Sequence, residues 1–285
     1  MKVTTALRDN AVLVDFTGSK FSGRIEDKVA SRNLQEEKHV GKKAANVIKT
    51  LFPTGEMNEA YTIMQNAYLY HKTVTVPWDR GYYLLQNKHF IAYSDKIREF
   101  NEALTTILQK MRPEYDRIVE AQREPLNGLF DRSNYPPVDD FIERFKIHVR
   151  FMPVPDSDDF RINVGEDVLE NIKKEFEVEF MGEVQKNIET DLLSRFVKPL
   201  SNMVDRLKNP ENIFRDSLVG NLRELADIVE ERNILGIDSV SEIVRKIRTI
   251  AYSDPQGLRD NPDARKKTAE DAAELYNKLQ QFINV

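Results

Sequence analysis

One long apolar row constrains the fold of this chain more than any other feature of its sequence. Between residues 166 and 208, an apolar side chain recurs at every fourth position. The row consists of Val168, Ile172, Phe176, Phe180, Val184, Ile188, Leu192, Phe196, Leu200 and Val204. This spacing excludes a β-strand and predicts a helix, which would measure roughly 60 Å if unbroken. Because four residues turn about 400°, the row drifts by about 40° per step, so different segments must cover its two ends.

Two prolines lie inside predicted helices and mark where each helix bends or restarts. Pro199 lies in the long row, and Pro113 lies in a helix predicted for residues 90–121. Apolar residues of that second helix alternate between steps of three and four, the spacing of a coiled-coil seam. The seam consists of Ile97, Phe100, Leu104, Ile107 and Met111. It predicts either packing within the chain or self-association into a homo-oligomer.

Periodicity predicts most of the remaining elements. Further helices are expected over residues 34–51, 57–68, 138–145, 213–231, 240–250 and 263–282. The dipeptides at 254–255 and 261–262 are typical helix starts, because each places a capping Asp or Asn directly before proline.

Alternation of apolar and polar residues predicts a small β element. Residues 145–151 and 160–164 both alternate, and a turn-rich loop joins them, so we expect an antiparallel β-hairpin with one buried face. Residues 11–16 and 73–78 are also expected to be extended, with a turn at 79–81.

Together these patterns predict a mainly α fold with long antiparallel helices, like those of a bundle or coiled coil, and a small antiparallel β element. We expect two lobes, an N-terminal helical lobe with the β element over residues 1–165 and a C-terminal helical bundle over residues 166–285.

Residue types missing from the chain argue against several kinds of chemistry. There is no cysteine, which excludes disulfides, thiolate zinc sites and cysteine nucleophiles. The four histidines lie far apart, and the glycines form neither GxxxxGK[ST] nor GxGxxG. The acidic loop at 156–159 lacks the spacing of an EF-hand and is typical of a solvated turn. We therefore predict no catalytic residue, no cofactor and no metal site, and a non-enzymatic protein; an enzyme whose site assembles only in three dimensions is a third interpretation.

Charge and hydropathy limit the kinds of partner that the chain is expected to bind. The 42 basic and 47 acidic residues give a net charge of −5, which argues against a dominant nucleic-acid surface. No stretch approaches 18 apolar residues, and the first ten residues contain no apolar core of a signal peptide. We therefore expect a cytoplasmic protein that does not associate with a membrane.

Two sets of residues are candidates for binding. Trp78, the only tryptophan, precedes Asp79 and Arg80, and Trp and Arg are common anchors of protein interfaces. The alternative is that Trp78 closes the end of a helix bundle. The second set is the basic stretch Lys20, Arg24, Lys28 and Arg32. With the aromatic rings of Phe16 and Phe21 nearby, it predicts contact with a single-stranded nucleic acid by phosphate binding and stacking. Interleaved acidic residues favour the alternative of a solvated, ion-paired helix face.

Seven short segments together carry a resemblance that extends over nearly the whole chain. They lie at residues 75–79 (TVPWD), 129–136 (LFDRSNYP), 149–155 (VRFMPVP), 158–161 (DDFR), 214–218 (FRDSL), 221–225 (NLREL) and 254–260 (DPQGLRD). In order and spacing they resemble an uncharacterised family, a domain of unknown function found in bacteria and their phages. Members of that family are often encoded beside a MoxR-type AAA+ ATPase.

The resemblance implies a source and a partner but no catalytic residues. It implies a protein of a bacterial cell or a phage-infected host, with a MoxR-type AAA+ ATPase as its partner. Combined with the long helices, it leads to our first hypothesis, a non-enzymatic interaction, assembly or adaptor protein. A nucleic-acid-binding protein that uses the basic N-terminal stretch is the second hypothesis.

Overall fold

The structure, a computed structural model, describes residues 3–52, 54–160, 162 and 164–283. The prediction of a mainly α fold with a small antiparallel sheet is confirmed. The helices are α1 (Val3–Asn10), α2 (Lys28–Glu37), α3 (Thr54–Val74), α4 (Phe90–Met111), α5 (Tyr115–Ala121), α6 (Arg123–Leu126), α7 (Val138–Glu143), α8 (Glu166–Glu175), α9 (Met181–Ser194), α10 (Val197–Lys208), α11 (Ser217–Arg232), α12 (Asp238–Ala251), α13 (Pro255–Asp260) and α14 (Pro262–Ile283). Within the described ranges, no helix combines the length and the apolar character that crossing a bilayer requires.

Six strands among the described residues form two sheets. The strands are β1 (Ala11–Ser19), β2 (Arg24–Glu26), β3 (Ile48–Thr50), β4 (Val76–Pro77), β5 (Tyr82–Gln86) and β6 (Lys146–Pro153). The larger sheet has the order β4-β5-β1-β6, and β5 pairs antiparallel with both β4 and β1. The smaller sheet is the antiparallel pair β2-β3.

The turn predicted at 79–81 is confirmed and closes the β4-β5 hairpin. Arg80 has φ 47° and Gly81 has φ 87°, and the Tyr82 amide donates to the carbonyl of Asp79 at 2.9 Å. Positive φ at both central residues defines a type I′ turn, whose twist matches that of the strands it joins.

The hairpin predicted over 145–164 is correct only in its first strand, which is β6. Of the described residues at 160, 162 and 164, none is in a strand, while Arg161 and Asn163 lie outside the described residues. A short 3₁₀ turn, Ser157–Asp159, precedes them, and Asp156 caps it by accepting from the Asp158 amide at 3.0 Å. Such local bonds between side chains and backbone compete with a strand ladder.

The helix predicted over 34–51 is also wrong. Helix α2 ends at Glu37, residues 38–47 form a loop, and β3 follows. The helix begins earlier than predicted because the Asp27 carboxylate accepts hydrogen bonds from the amides of Val29 and Ala30, an N-cap. The segment after the loop is held as a strand by pairing with β2, which periodicity alone does not show.

The single long helix predicted for residues 166–208 is divided. Helix α8 continues through a π-helical turn, Phe176–Phe180, into α9, and α10 is separated from α9 by a turn at Arg195 and Phe196. Pro199 is therefore the third residue of α10, where a missing N–H costs no intrahelical bond. The proline ring would clash with the carbonyl of Arg195, four residues earlier, if that residue were helical. The helix is therefore broken at Arg195 rather than at the proline.

Pro113 also marks a restart, as predicted. Helix α4 ends at Met111, a 3₁₀ turn spans Arg112–Glu114, and α5 begins at Tyr115. The seam residues of α4 are buried or half-buried within the chain, with Leu104 only 2% exposed. Packing within the chain therefore accounts for the seam pattern.

The chain divides into two compact units, and each contains discontinuous segments. Unit 1 contains Met1–Asp15, Thr73–Phe90 and Phe151–Val285, and unit 2 contains Phe16–Lys72 and Ile91–Arg150. This division does not coincide with the boundary predicted at 165/166.

The core of unit 1 forms around α9 and α10. Ile188, Leu192, Phe196 and Leu200 of the predicted row have no exposed surface, and α10 packs against α14 and α11. The β4-β5 hairpin joins the same core, since α9 contacts β4. In unit 2, aromatic rings pack around Phe141, which contacts Phe21, Phe52 and Tyr115 at ring distances of 5.0 to 5.5 Å.

Candidate functional site

A groove in unit 1 combines exposed acids with half-buried aromatic rings, and we call it the acidic groove. It has a volume of about 430 Å³. Its lining residues are Phe160, Ile172, Glu175, Phe176, Glu179, Phe180 and Glu183. The groove therefore follows α8, the π-helical turn and the start of α9.

The floor of the acidic groove is aromatic. The ring of Phe176 lies 5.7 Å from that of Phe160 and stacks on that of Phe180 at 5.3 Å. Phe180 in turn meets the buried indole of Trp78 at 5.6 Å. The three phenylalanines are half-buried, so each keeps part of its ring on the surface while the other part is fixed by packing. A fixed, partly exposed apolar floor is typical of a binding groove.

The rim of the acidic groove is a row of glutamates. Glu175, Glu179 and Glu183 recur at every fourth position, are exposed and, within the described part of the chain, make no ion pair. By contrast, the nearby Lys173 ammonium is paired with Asp158 at 2.7 Å. Residues 156–183 contain ten acidic and three basic side chains, a net charge of 3 − 10 = −7, against −5 for the whole chain. Like charges four residues apart repel one another on a helix, so this row weakens the helix that carries it.

The π-helical turn lies at the centre of the acidic groove. Its i to i+5 hydrogen bonds widen the helix at Phe176–Phe180 and counteract the drift of the four-residue row, so successive members stay on one side. π-helical turns are rare and occur often at functional sites. The geometry therefore keeps a stripe of rings beside a stripe of carboxylates.

A second surface lies in unit 2 and is basic. Helix α2 and the loop after it border an open depression of about 770 Å³, which we call the basic depression. Two hydrogen bonds attach the loop to α2: the Val47 amide donates to the hydroxyl of Ser31 at 2.9 Å, and the Gln35 amide group donates to the carbonyl of Ala45 at 2.7 Å.

Four cations border the basic depression, namely Lys28, Arg32, Lys42 and Lys43. Among the described residues none of the four has an acidic partner, and all are exposed. The carboxylates of Glu26 and Glu36 also line the depression, so its net charge is 4 − 2 = +2 with His39 neutral. His39 and Lys43 have φ 51° and φ 70°, a left-handed backbone that is uncommon for side chains of their size.

A buried ion pair supports the base of α2. The Lys49 ammonium, with its side chain only 7% exposed, lies 3.0 Å from the Asp27 carboxylate and also donates to the carbonyl of Leu129 at 3.1 Å. Hydrogen bonds from the Ala30 amide and from Lys49 lower the pKa of Asp27. The carboxylate therefore stays charged and holds both the N-terminus of α2 and strand β3.

The first set of predicted site residues, Trp78, Asp79 and Arg80, is divided between the core and the surface. Trp78 is 4% exposed and belongs to the core of unit 1, so its indole presents no anchor on the surface. Asp79 and Arg80 lie on the exposed hairpin turn, where their side chains pair at 3.5 Å.

Within the basic stretch, Lys28 and Arg32 lie at the basic depression, whereas Lys20 and Arg24 do not. The Lys20 ammonium lies over the ring of Tyr61, 5.1 Å from its centroid. The two rings expected to stack on bases are engaged internally: Phe16 stacks on His71 at 4.8 Å, and Phe21 is buried against Phe141. The structure thus brings Lys28 and Arg32 together at one surface, whereas Phe21 is buried and Phe16, stacked on His71, is half-buried.

Sequence reasoning missed the acidic groove because it assigned Phe176 and Phe180 to a core row. The available signal was the parallel row of glutamates, one residue before each apolar position at 176 and 180. The described residues include no group of three or more His, Cys, Asp or Glu side chains placed to hold a metal ion. Comparison with family models, with curated proteins and with solved structures finds no match to this chain.

Proposed function

We propose that this chain is a non-enzymatic interaction protein, an assembly factor or adaptor that binds a partner protein through the acidic groove. The single observation that carries the proposal is the unpaired glutamate row beside the half-exposed rings of Phe160, Phe176 and Phe180. Both features are unfavourable in the isolated chain, because the rings contact water and the carboxylates repel each other. A partner that covers the rings and brings positive charge relieves both.

The proposed partner follows from the family resemblance. We propose a MoxR-type AAA+ ATPase, in a bacterial cell or a phage-infected host, since members of the resembled family are often encoded beside one. The chain would then serve as an accessory that docks on the ATPase or delivers a substrate to it. Self-association is an additional proposal, and the seam of α4 offers little free surface for it.

Site-specific photo-crosslinking in the encoding cell tests this proposal. A photo-reactive residue replaces Glu179 in the groove, and in a matched control it replaces Glu224, an exposed glutamate of α11 that also has no ion pair among the described residues. We expect a crosslinked protein from position 179 that is absent from position 224. The product should disappear when Glu175 and Glu183 are changed to lysine. No product at 179, or the same product at both positions, contradicts the proposal, and mass spectrometry of the product tests the ATPase.

The second candidate function is the binding of a polyanion such as a single-stranded nucleic acid. It is favoured by the four unpaired cations at the basic depression. Phosphate contacts release counterions, so binding should weaken steeply as salt is raised. We expect Lys28→Glu with Arg32→Glu to abolish binding at low salt, while Lys20→Glu with Arg24→Glu, outside the depression, retains it. Equal loss in both double variants points to net charge alone, and no binding at low salt removes this function.

A further inference from the structure

We infer that the occupant of the acidic groove is a basic amphipathic α-helix of the partner protein, with lysine or arginine along one side of an apolar stripe. This inference rests on the proposed function and names the chemistry of the partner segment. Three features of the groove support it: its charge, the helical backbone of its lining residues, whose groups are already hydrogen-bonded, and the spacing of its side chains.

The charge of the groove selects a cationic partner. Glu175, Glu179 and Glu183 are exposed and unpaired within the described residues, and they flank the apolar floor on one side. An approaching acidic or neutral segment would leave these carboxylates partly desolvated without compensation, which costs free energy. A lysine or arginine row instead forms ion pairs at the rim and is drawn to the groove by the excess negative charge of residues 156–183.

The backbone of the groove selects a helical rather than an extended partner. The lining residues from Ile172 to Glu183 lie on a continuous helical segment, whose backbone groups are already hydrogen-bonded. An extended peptide gains affinity by pairing with a free strand edge, and the described residues that line this groove include no strand. A helix arrives with its own backbone bonds made and presents only side chains, which is how helices bind apolar grooves.

The spacing of the groove matches that of a helix laid beside it. From Glu175 to Glu183 the rim extends about 12 Å, at about 1.5 Å per residue. Cations at positions i, i+4 and i+7 of a partner helix span a similar length, about 10.5 Å, and lie within about 60° of one another around the helix axis, so they face the three glutamates as one row. Between them, the apolar side chains of the partner contact the exposed parts of the Phe176 and Phe180 rings.

Three synthetic peptides test the inference on the full chain by fluorescence anisotropy. The first is a basic amphipathic helix of about 18 residues, long enough to form a helix. The second has the same composition in a scrambled order without an apolar stripe, and the third keeps the stripe but replaces lysine with glutamine. We expect the first to bind at least about tenfold more tightly than the other two, a difference of about 1.4 kcal/mol.

Variants of the chain test whether the first peptide binds at the acidic groove. We expect Glu175→Lys, Glu179→Lys and Glu183→Lys together, or Phe176→Ala alone, to weaken binding of the first peptide at least about tenfold. The matched control changes three exposed, unpaired glutamates elsewhere in unit 1, Glu211, Glu224 and Glu274, to lysine. It carries the same change in net charge and should retain binding. Circular dichroism confirms that each variant keeps its helix content.

Several outcomes overturn the inference and leave the proposed function standing. Equal binding of the scrambled peptide shows attraction by charge alone, and equal binding of the glutamine peptide shows an apolar partner without a charge requirement. Failure of all three peptides, with a groove-specific crosslink in the cell, shows a partner of another shape. By contrast, a concentration-dependent dimer that the glutamate variants abolish identifies the occupant as a second copy of this chain and contradicts the proposed function as well.

Discussion

The Nδ1 atom of His71 lies 2.8 Å from the hydroxyl oxygen of Tyr93, in the interior of unit 2. His71 belongs to α3 and Tyr93 to α4, and neither side chain is more than 1% exposed. The ring of Phe16 stacks on the imidazole at 4.8 Å. Burial, with a smaller effect of the Lys72 charge, lowers the pKa of His71 to about 4, and burial raises the pKa of Tyr93. The imidazole is therefore neutral in the folded chain at neutral pH.

This pair predicts a loss of stability in mild acid. The unfolded chain binds a proton on His71 near pH 6.5, whereas the folded chain does so only near pH 4. The free energy of unfolding should therefore fall as the pH is lowered through this window, by about 3 kcal/mol in total from this residue. Urea denaturation above pH 6.5 and at about pH 4.5 measures the effect.

A pair of variants tests whether His71 causes that pH dependence of stability. His71→Phe lacks the titrating group and should lose less stability between the two pH values than the natural chain does. His148→Gln, at an exposed position of β6, is the control and should follow the natural chain. If His71→Phe has the same pH dependence as the natural chain, the buried histidine is not its cause.

Arg265 of α14 caps the C-terminal end of α10. Its guanidinium is buried and donates to five backbone carbonyls, those of Arg206, Leu207, Asn209, Pro210 and Asn212. Lysine cannot reproduce this planar set of donors, so Arg265→Lys should lower the free energy of unfolding by about 2–3 kcal/mol. Lys267→Met, at an exposed neighbouring position, should change it by less than about 0.5 kcal/mol. Equal effects of the two substitutions in urea denaturation would show that the carbonyl contacts contribute nothing.

The glutamate row of the acidic groove should weaken the fold rather than support it. Because like charges four residues apart are unfavourable, changing Glu175, Glu179 and Glu183 to glutamine should raise thermal stability at low salt, by up to about 1 kcal/mol. The gain should shrink at high salt, since salt screens exposed charges. Calorimetry at two ionic strengths measures it. A marked loss of stability would show that these carboxylates have a structural role.

The β4-β5 turn offers a stabilising substitution. Arg80 is 89% exposed on its side chain and has φ 47°, a conformation that asparagine adopts more readily. Arg80→Asn should therefore stabilise the chain by about 0.5–1 kcal/mol. Gly81→Ala should destabilise it, because alanine tolerates φ 87° poorly. Thermal unfolding of the two variants should shift in opposite directions, and shifts of the same sign contradict the turn assignment.

Much of the fold follows from local patterns in the sequence. The four-residue row correctly predicts the buried side of α9 and α10, where Ile188 and Leu200 are fully covered. The capping prediction at 254–255 is confirmed, since the Asp254 carboxylate accepts from the amides of Gln256 and Gly257. These features are predictable because each depends on residues within one or two helical turns.

The candidate site was less predictable. The basic stretch was identified by composition, but its division into Lys28 and Arg32 at the depression and Lys20 and Arg24 outside it depends on the path of the loop after α2. The rings of the acidic groove belong to the same row as core residues such as Ile188, and the neighbouring glutamates are an incomplete signal, since Glu183 precedes Val184, which is buried.

By itself the sequence determined most of the helices after residue 54, their apolar sides, the cap at Asp254 and the excess of negative charge between residues 156 and 183. Tertiary structure alone decided that β5 pairs with β1, that Lys49 meets Asp27 and that Phe176 stays half-exposed while Ile188 is covered. The physical reason is the separation in sequence between the residues that interact. A helix and its cap are stabilised by neighbours along the chain, whereas strand pairing, buried ion pairs and the exposure of a side chain depend on segments that are distant in sequence and meet only when the chain folds.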